Sequence, residues 1–221
     1  MTEIGASTAR LAVPIPGHPG AFVIAWAAAT DTGRRRAANE DSYVAQSPMF
    51  AVADGMGGHS AGDLASAAVV RRLAEAAVGD FAAPRAIERA LEAATDDISV
   101  ISGESELGVG TTVTGALLTL QDDEPYFAIF NVGDSRVYSF ERNELTQVTV
   151  DHSVVQELVE SGTLTRDEAA HHPDSNIITR AVGFNAAPIP DFWMIRAHAG
   201  LRLLLCSDGL TKEVSTERLR L

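Results

Sequence analysis

The segment FAVADGMGGHSAGD, residues 50–63, contains two different groups that could do chemistry. Its second half includes G-x-S-x-G, the pattern of a nucleophile elbow, in which a sharp turn after a strand exposes a catalytic serine, here Ser60. Its first half is an apolar run that ends on Asp54 and then breaks into glycines, which is typical of a carboxylate presented to a metal ion. The chemistry is therefore either attack by Ser60 or metal-assisted hydrolysis centred on Asp54.

The spacing around Ser60 argues against the nucleophile elbow. An elbow needs the strand to run almost directly into the serine, whereas six residues separate the predicted strand end, Ala53, from Ser60. Ser60 fits better as a cap at the start of the following helix. The hydrolase order of serine, acid and histidine can be filled by Ser60, Asp134 and either His152 or His172. A chain with six histidines offers such choices by chance, so the pattern carries little weight.

The aspartate hypothesis gains support because the same arrangement occurs three times. Apolar strands deliver Asp54, Asp134 (in IFNVGDSR) and Asp208 (in LLLCSDGL) next to glycines, and the acidic pair Glu40-Asp41 follows the first strand. One such aspartate is usually a turn former. Strand ends in one sheet lie side by side, however, so three of them can converge on an ion that prefers hard oxygen ligands.

Hydrophobic periodicity predicts the elements that would position these carboxylates. Two amphipathic helices follow the second strand; the first carries an apolar side with Leu64, and the second an apolar stripe that extends to Ile101. The later segments are β-branched and aromatic with turn residues between them, which predicts an antiparallel sheet. The predicted strands are FVIAWAAAT, MFAVA, TTVTGALLTL, PYFAIFNV, RVYSF and LRLLLCS.

Two segments stand outside this pattern. Residues 151–190 are predicted to form an inserted flap with two short helices, the second beginning with the capping box Thr165 to Glu168. Residues 1–20 contain three prolines and lack the basic start and apolar core of a secretory signal. They are predicted to be a flexible N-terminal arm.

Composition restricts the class of protein. A length of 221 residues with 46% hydrophobic side chains favours one domain, and a net charge of -13 repels nucleic acid and anionic membrane surfaces. The single cysteine, Cys206, lies in an apolar run, so an intramolecular disulfide is impossible and a reducing compartment is the natural location. The sequence predicts a cytoplasmic protein that binds neither nucleic acid nor membranes.

Seven motifs occur in order along the chain: RAANEDS, VADGMGGHSAG, GVGTTVTGALL, NVGDSRVY, DHSVVQELVESG, HHPDSNIITRAVG and LLLCSDGL. Together they resemble the motifs of the metal-dependent serine/threonine protein phosphatases of the protein phosphatase 2C type, in their bacterial form. The resemblance extends over nearly the whole chain from about Ala21 and implies a phosphatase domain at residues 21–221. It implies an α+β fold, a four-layer α-β-β-α sandwich of two antiparallel sheets flanked by helix pairs.

The resemblance also implies a role for each acidic residue. Asp54 would bridge two Mn2+ or Mg2+ ions. The Gly55 carbonyl would bind one of these ions, together with Asp41 directly or through water, and Asp208 would bind the other. Asp134 with Asp208 would form a weaker third metal site.

The same resemblance implies the reaction, hydrolysis of phosphoserine and phosphothreonine in proteins by a metal-activated water, which opposes serine/threonine kinases. Arg36 lies where the family keeps its phosphate-binding arginine, although residues 34–36 taken alone indicate a solvated charge run. The partners would be phosphorylated proteins, including kinases and their substrates. Ser60 and Cys206 are not needed as nucleophiles.

The chain departs from the family in two places. Met56 stands where animal members have a histidine as the candidate general acid, and it cannot donate a proton; His59, three residues on, is equally a surface residue, so the acid is unassigned. The sequence also ends before the family's last helix, aspartate-asparagine pair and strand, which predicts a truncated C-terminal part. The alternative function is therefore a catalytically impaired module of this fold that binds a phosphoprotein or regulator.

Overall fold

A computed structural model describes residues 1–34, 36–57, 61–102, 108–184 and 188–220. Within these ranges the chain forms two long helices, four short ones and twelve strands. The strands are β1 (Glu3–Gly5), β2 (Thr8–Pro14), β3 (Ala21–Trp26), β4 (Asp41–Gln46), β5 (Met49–Met56), β6 (Gly110–Thr111), β7 (Val113–Gln121), β8 (Glu124–Val132), β9 (Arg136–Glu141), β10 (Glu144–Gln147), β11 (Asp191–Arg196) and β12 (Arg202–Cys206). The helices are α1 (Ala61–Ala76), α2 (Arg85–Ser102), α3 (Val154–Glu160), α4 (Arg166–Ala169), α5 (Asp208–Thr211) and α6 (Thr216–Leu219).

The larger sheet has the strand order β1-β4-β5-β7-β8-β11, and β6 also pairs with β5. Its pairings are antiparallel except that β1 runs parallel to β4. In the β4–β5 hairpin, Asp41 lies directly opposite Asp54. The hairpin register therefore brings together two of the predicted metal ligands.

One face of this sheet packs against α1 and α2. The strands alternate as a two-residue period requires, so Val113 and Leu117 of β7 face the helices. The predicted stripe of α2 is buried at Ile87, Leu91, Ala94 and Ile98. The predictions for Leu64 and Ile101 are wrong, because these side chains are 48% and 38% exposed.

The other face packs against the smaller sheets, β10-β9-β12 and β2-β3. Val13, Leu118, Ile129 and Val137 belong to this second core. The predicted sandwich of two sheet layers is thus present. In the described ranges it is flanked by one pair of long helices, because the helices after residue 150 have at most seven residues. None of the helices in those ranges is long and apolar enough to cross a membrane.

The first twenty residues differ from the predicted flexible arm. β1 pairs with β4, β2 pairs with β3, and Val13 is only 1% exposed. The apolar residues alternate along β2, which suits a strand with one buried face. The prolines that suggested an arm lie at the end of β2 and in the turn before β3, where a missing backbone donor costs little.

The segment 151–190 contains the two short helices predicted for it, and the capping box at Thr165 forms. Its ends are fixed to the domain: Asp151, His152 and Ser153 are buried, and Val182 pairs with Thr111. The part that projects from these anchors is residues 154–177, joined at its base by a hydrogen bond from the Val154 amide to the Ile177 carbonyl. The candidate flap is therefore shorter than the segment predicted from sequence.

Candidate active site

The predicted acidic residues meet at strand ends where the two sheet layers come together. A cavity of about 430 Å³ is lined by Asp54, Gly55, Asp134 and Asp208, together with Arg36. A larger cleft of about 1220 Å³ adjoins it and extends between β3 and β12, reaching Asp41, Asp54 and Asp208. The strands that the sequence predicted to deliver these carboxylates do deliver them to one place.

Asp54 is the electrostatic centre of the cavity. Burial raises the pKa of its carboxyl from 3.8 to about 8, and repulsion from Asp41, Asp208 and Asp134 adds to the rise. A neighbouring cation would favour the ionised form and oppose this shift. Ionisation of the Asp54 carboxyl is therefore costly unless a cation lies beside it.

Asp134 follows a tight turn at Gly133, whose φ of +107° lies in a region that favours glycine. A side chain at this glycine would also collide with Thr112. Burial, with repulsion from Asp208 and Asp151, raises the pKa of Asp134 to about 6, and the positive charge of Lys212 opposes the rise. The turn thus presents a second carboxylate that is costly to ionise.

His152 fixes the backbone of that turn. Its Nδ1 accepts a hydrogen bond of 3.1 Å from the Gly133 amide, and its own amide donates to the Gly133 carbonyl at 2.9 Å. Its Nε2 lies 3.1 Å from Asp191, which also pairs with Arg180. Both ring nitrogens are therefore engaged in positioning, which removes His152 from any serine triad.

Asp41 and Asp208 are connected by Ser207. The Ser207 hydroxyl donates to Asp41 Oδ2 at 2.9 Å across a separation of 166 residues. Asp208 begins α5 directly after β12, and its Oδ2 contacts the ammonium of Lys212. Sequence reasoning missed the roles of both Ser207 and Lys212.

Position 55 must be glycine because the first turn of α1 packs directly against its backbone. A Cβ at Gly55 would collide with the carbonyl group of Gly62 and would come within 2.8 Å of the Glu40 carbonyl oxygen. This close approach lets the first turn of α1 pack onto the end of β5. Gly55 is thus explained by packing as well as by its predicted role as a carbonyl ligand.

The donor set fits hard divalent cations in its chemistry, since several crowded carboxylates need positive charge to relieve their repulsion. In the described part of the chain, however, no three His, Cys, Asp or Glu side chains are close enough together to hold an ion as they stand. Two of the carboxylates already have other partners: Asp41 accepts a hydrogen bond from Ser207, and Asp208 pairs with Lys212. Asp54, Asp134 and Asp208 therefore line one cavity, but their side chains are too far apart to coordinate one ion together.

Of the two candidate nucleophiles, Ser60 and Cys206, the structure describes Cys206. Ser60 and His59 lie outside the described residues. Cys206 is buried, and burial raises the pKa of its thiol to about 11, so it is not a reactive thiolate near neutral pH. Arg36 is exposed at the mouth of the cavity, and Met56 lines its wall.

Comparison with known proteins agrees with this arrangement. A family model described as protein phosphatase 2C matches residues 32–220. The serine/threonine phosphatase stp of Listeria welshimeri is 39% identical over 198 residues, which are 84% of this chain and 77% of the relative. The serine/threonine protein phosphatase PstP of Mycobacterium tuberculosis is 40% identical over 201 residues, which are 89% of this chain and 38% of the relative.

Solved structures show the same fold. The crystal structure of Mycobacterium tuberculosis PstP superposes with a TM-score of 0.77 at 39% identity, covering 86% of this chain and 80% of that chain. The PstP catalytic domain in complex with two manganese ions gives a TM-score of 0.74 at 38% identity, with 86% and 80% covered. The chain therefore belongs to the protein phosphatase 2C family.

Proposed function

We propose that this protein hydrolyses phosphoserine and phosphothreonine in other proteins with two bound Mn2+ or Mg2+ ions. The observation that carries the proposal is one cavity lined by Asp54, Asp134, Asp208 and Arg36. A relative of 38% identity binds two manganese ions, which supports the metal assignment. The protein partners would be phosphoproteins, including serine/threonine kinases and their substrates. We place the activity in a reducing cytoplasm because the single cysteine is free and buried.

Acidic residues of the cavity would bind the metal ions, and a basic residue would bind the phosphate. Asp54, Asp41, Asp208 and the Gly55 carbonyl would hold the ions, which when bound supply hydroxide near neutral pH. Ser207 orients Asp41 through its 2.9 Å hydrogen bond. Arg36 would bind and orient the phosphate through its guanidinium at the cavity mouth.

The test is hydrolysis of a phosphothreonine peptide with Mn2+ or Mg2+ added, compared with the same reaction in excess chelator. We expect turnover only with the divalent ion. The rival function, a module that binds phosphoproteins without hydrolysing them, predicts peptide binding and no phosphate release under either condition. That outcome would overturn the proposed activity.

Replacing Arg36 with alanine should raise KM for the phosphopeptide by about 10- to 100-fold, since hydrogen bonds to charged groups contribute about 1.5–3 kcal/mol. Arg34→Ala is the matched control, because Arg34 belongs to the same exposed loop but does not line the smaller cavity. Steady-state kinetics on both variants decide the point. Equal KM values for the two variants would remove Arg36 from phosphate binding.

We also infer that the candidate flap, residues 154–177, governs access of protein substrates. Replacing residues 155–175 with a short glycine-serine linker keeps the buried anchors Asp151, His152 and Val182. The rate on a phosphoprotein should then change much more than the rate on a small aryl phosphate, because none of the replaced residues lines the cavity. Similar changes on both substrates would show that the segment is only structural.

A further inference from the structure

Lys212 is the single lysine of the sequence, and it lies against the predicted metal ligands. It follows Asp208 by four residues around α5, so the two side chains share one side of the helix. Its ammonium contacts Asp208 Oδ2 and also donates to Asn176 Oδ1 at 2.6 Å. One cation therefore joins a carboxylate of the cavity to the candidate flap.

The same ammonium lies in one cavity with a second carboxylate, that of Asp134. Asp134 and Lys212 line the same cavity, and the positive charge of Lys212 opposes the rise in the pKa of Asp134. Lys212 thus contacts Asp208 and lines the same cavity as Asp134, the two residues predicted to share a weak third metal ion. A lysine ammonium is a compact charge with three donors on a flexible stem, and it can serve two oxygens and a nearby charge at once.

We propose that Lys212 is a built-in cation that takes the place of a third divalent ion between Asp134 and Asp208. The proposal rests on the proposed function, because it assumes that two other ions bind around Asp54. The hydrogen bond from the Lys212 ammonium goes to the Oδ2 atom of Asp208, and in this proposal Oδ1 of the same carboxylate serves the two-ion site. Asn176 holds the ammonium from the flap side and limits its freedom to move away.

The simpler interpretation is an ordinary surface ion pair, since the Lys212 and Asp208 side chains are 47% and 24% exposed. Such pairs contribute little to stability, about 0–1 kcal/mol. The two interpretations differ in what they predict for metal binding. If Lys212 only forms a surface ion pair, replacing it leaves the number of bound divalent ions unchanged. If it is a built-in cation, replacing it by an uncharged residue increases the number of bound ions.

The experiment counts ions by calorimetric Mn2+ titration of the full chain, with no substrate and no activity assay. Wild type should bind two ions, and Lys212→Met, which keeps the length of the side chain but removes its charge, should bind a third. At the least, the affinity for a third ion should rise by about tenfold, because cation affinity follows the net ligand charge. Lys212→Arg keeps the charge and should bind two ions, as wild type does.

Acetylation of wild type provides a second route to the same change without mutation. Because Lys212 is the single lysine, an amine-selective acetylating reagent used with a hydroxylamine wash to remove tyrosine esters modifies its side chain and the α-amine. Acetylated wild type should gain the third ion, and acetylated Lys212→Arg, in which only the α-amine reacts, should not. These two samples separate loss of charge from any effect of a substitution on folding.

Three results would overturn the proposal. Identical ion counts and affinities for wild type, Lys212→Met and acetylated wild type would leave the two-ion function intact but show that Lys212 is an ordinary ion pair. A third ion in Lys212→Arg as well would show that the charge is not the cause. Binding of no ion by any sample would overturn the proposed metal-dependent function, and the role of Lys212 with it.

Discussion

Replacing Asp54 with asparagine should abolish phosphatase activity and raise the thermal stability of the metal-free protein. Activity falls because Asp54 lies at the centre of the acidic cavity, where we propose that it binds both ions. We expect a loss above about a hundredfold, since even residues that only orient metal ligands cost about 10- to 100-fold. Stability rises because asparagine removes a charge that burial and three neighbouring carboxylates disfavour. Peptide hydrolysis and thermal unfolding in chelator measure the two effects.

Two controls define that result. Asp122→Asn makes the same chemical change at an exposed turn, where a positive φ of 50° suits asparagine, and should alter neither property. Ser60→Ala should leave activity nearly unchanged if the metal hypothesis holds. An inactive Ser60→Ala together with an active Asp54→Asn would instead support the nucleophile elbow.

The metal-free protein should lose stability as the pH rises from about 4, near the unfolded pKa of these carboxyls, to about 8, the folded pKa of Asp54. The folded pKa of Asp54 is raised from 3.8 to about 8, and that of Asp134 to about 6, so the folded state binds these protons more tightly than the unfolded chain. Their stabilising contribution is complete below pH 4 and is lost as the pH passes through the folded values. Each kcal/mol lost lowers the Tm by about 2–4 °C in a chain of this size.

Divalent ions should reverse this dependence. Thermal unfolding with and without excess Mg2+ at each pH should show the largest increase in Tm above pH 8, where the carboxylates are ionised and binding does not compete with protons. Carboxyls with lowered pKa values, such as Asp97 and Asp191, titrate below this window and do not mask the trend. Asp54→Asn should flatten the metal-free curve, and a flat curve for wild type would contradict the electrostatic account.

The sequence predicted the site better than it predicted the edges of the fold. Asp54, Asp134 and Asp208 could be located because each ends a strongly apolar strand, and local patterns of this kind identify strand ends. The pairing of β1 with β4 could not be predicted, because it joins residues some forty positions apart and the prolines of the segment suggested disorder. Periodicity likewise assigned Leu64 to a buried face although it is 48% exposed.

The long-range contacts that position the cavity residues could not be predicted from local sequence patterns. His152 binds the Gly133 turn across 19 residues, and Lys212 reaches Asn176 across 36. Neither contact leaves a signature in composition or periodicity, since each depends on how the segment after residue 150 returns to the sheets. The missed residues are those whose roles depend on tertiary structure.

Ser207 and Asp41 meet across 166 residues, and Asp54 lies in β5 of the larger sheet whereas Asp208 follows β12 of a smaller one, so the cavity cannot exist before β12 has packed. A nascent chain emerging from the ribosome would carry Asp41, Asp54 and Asp134 for some time without a site. Hydrolysis would therefore begin only when synthesis and folding of this part of the chain are finished. A fragment in which β12 is missing or misfolded would lack the cavity and would not hydrolyse phosphoproteins.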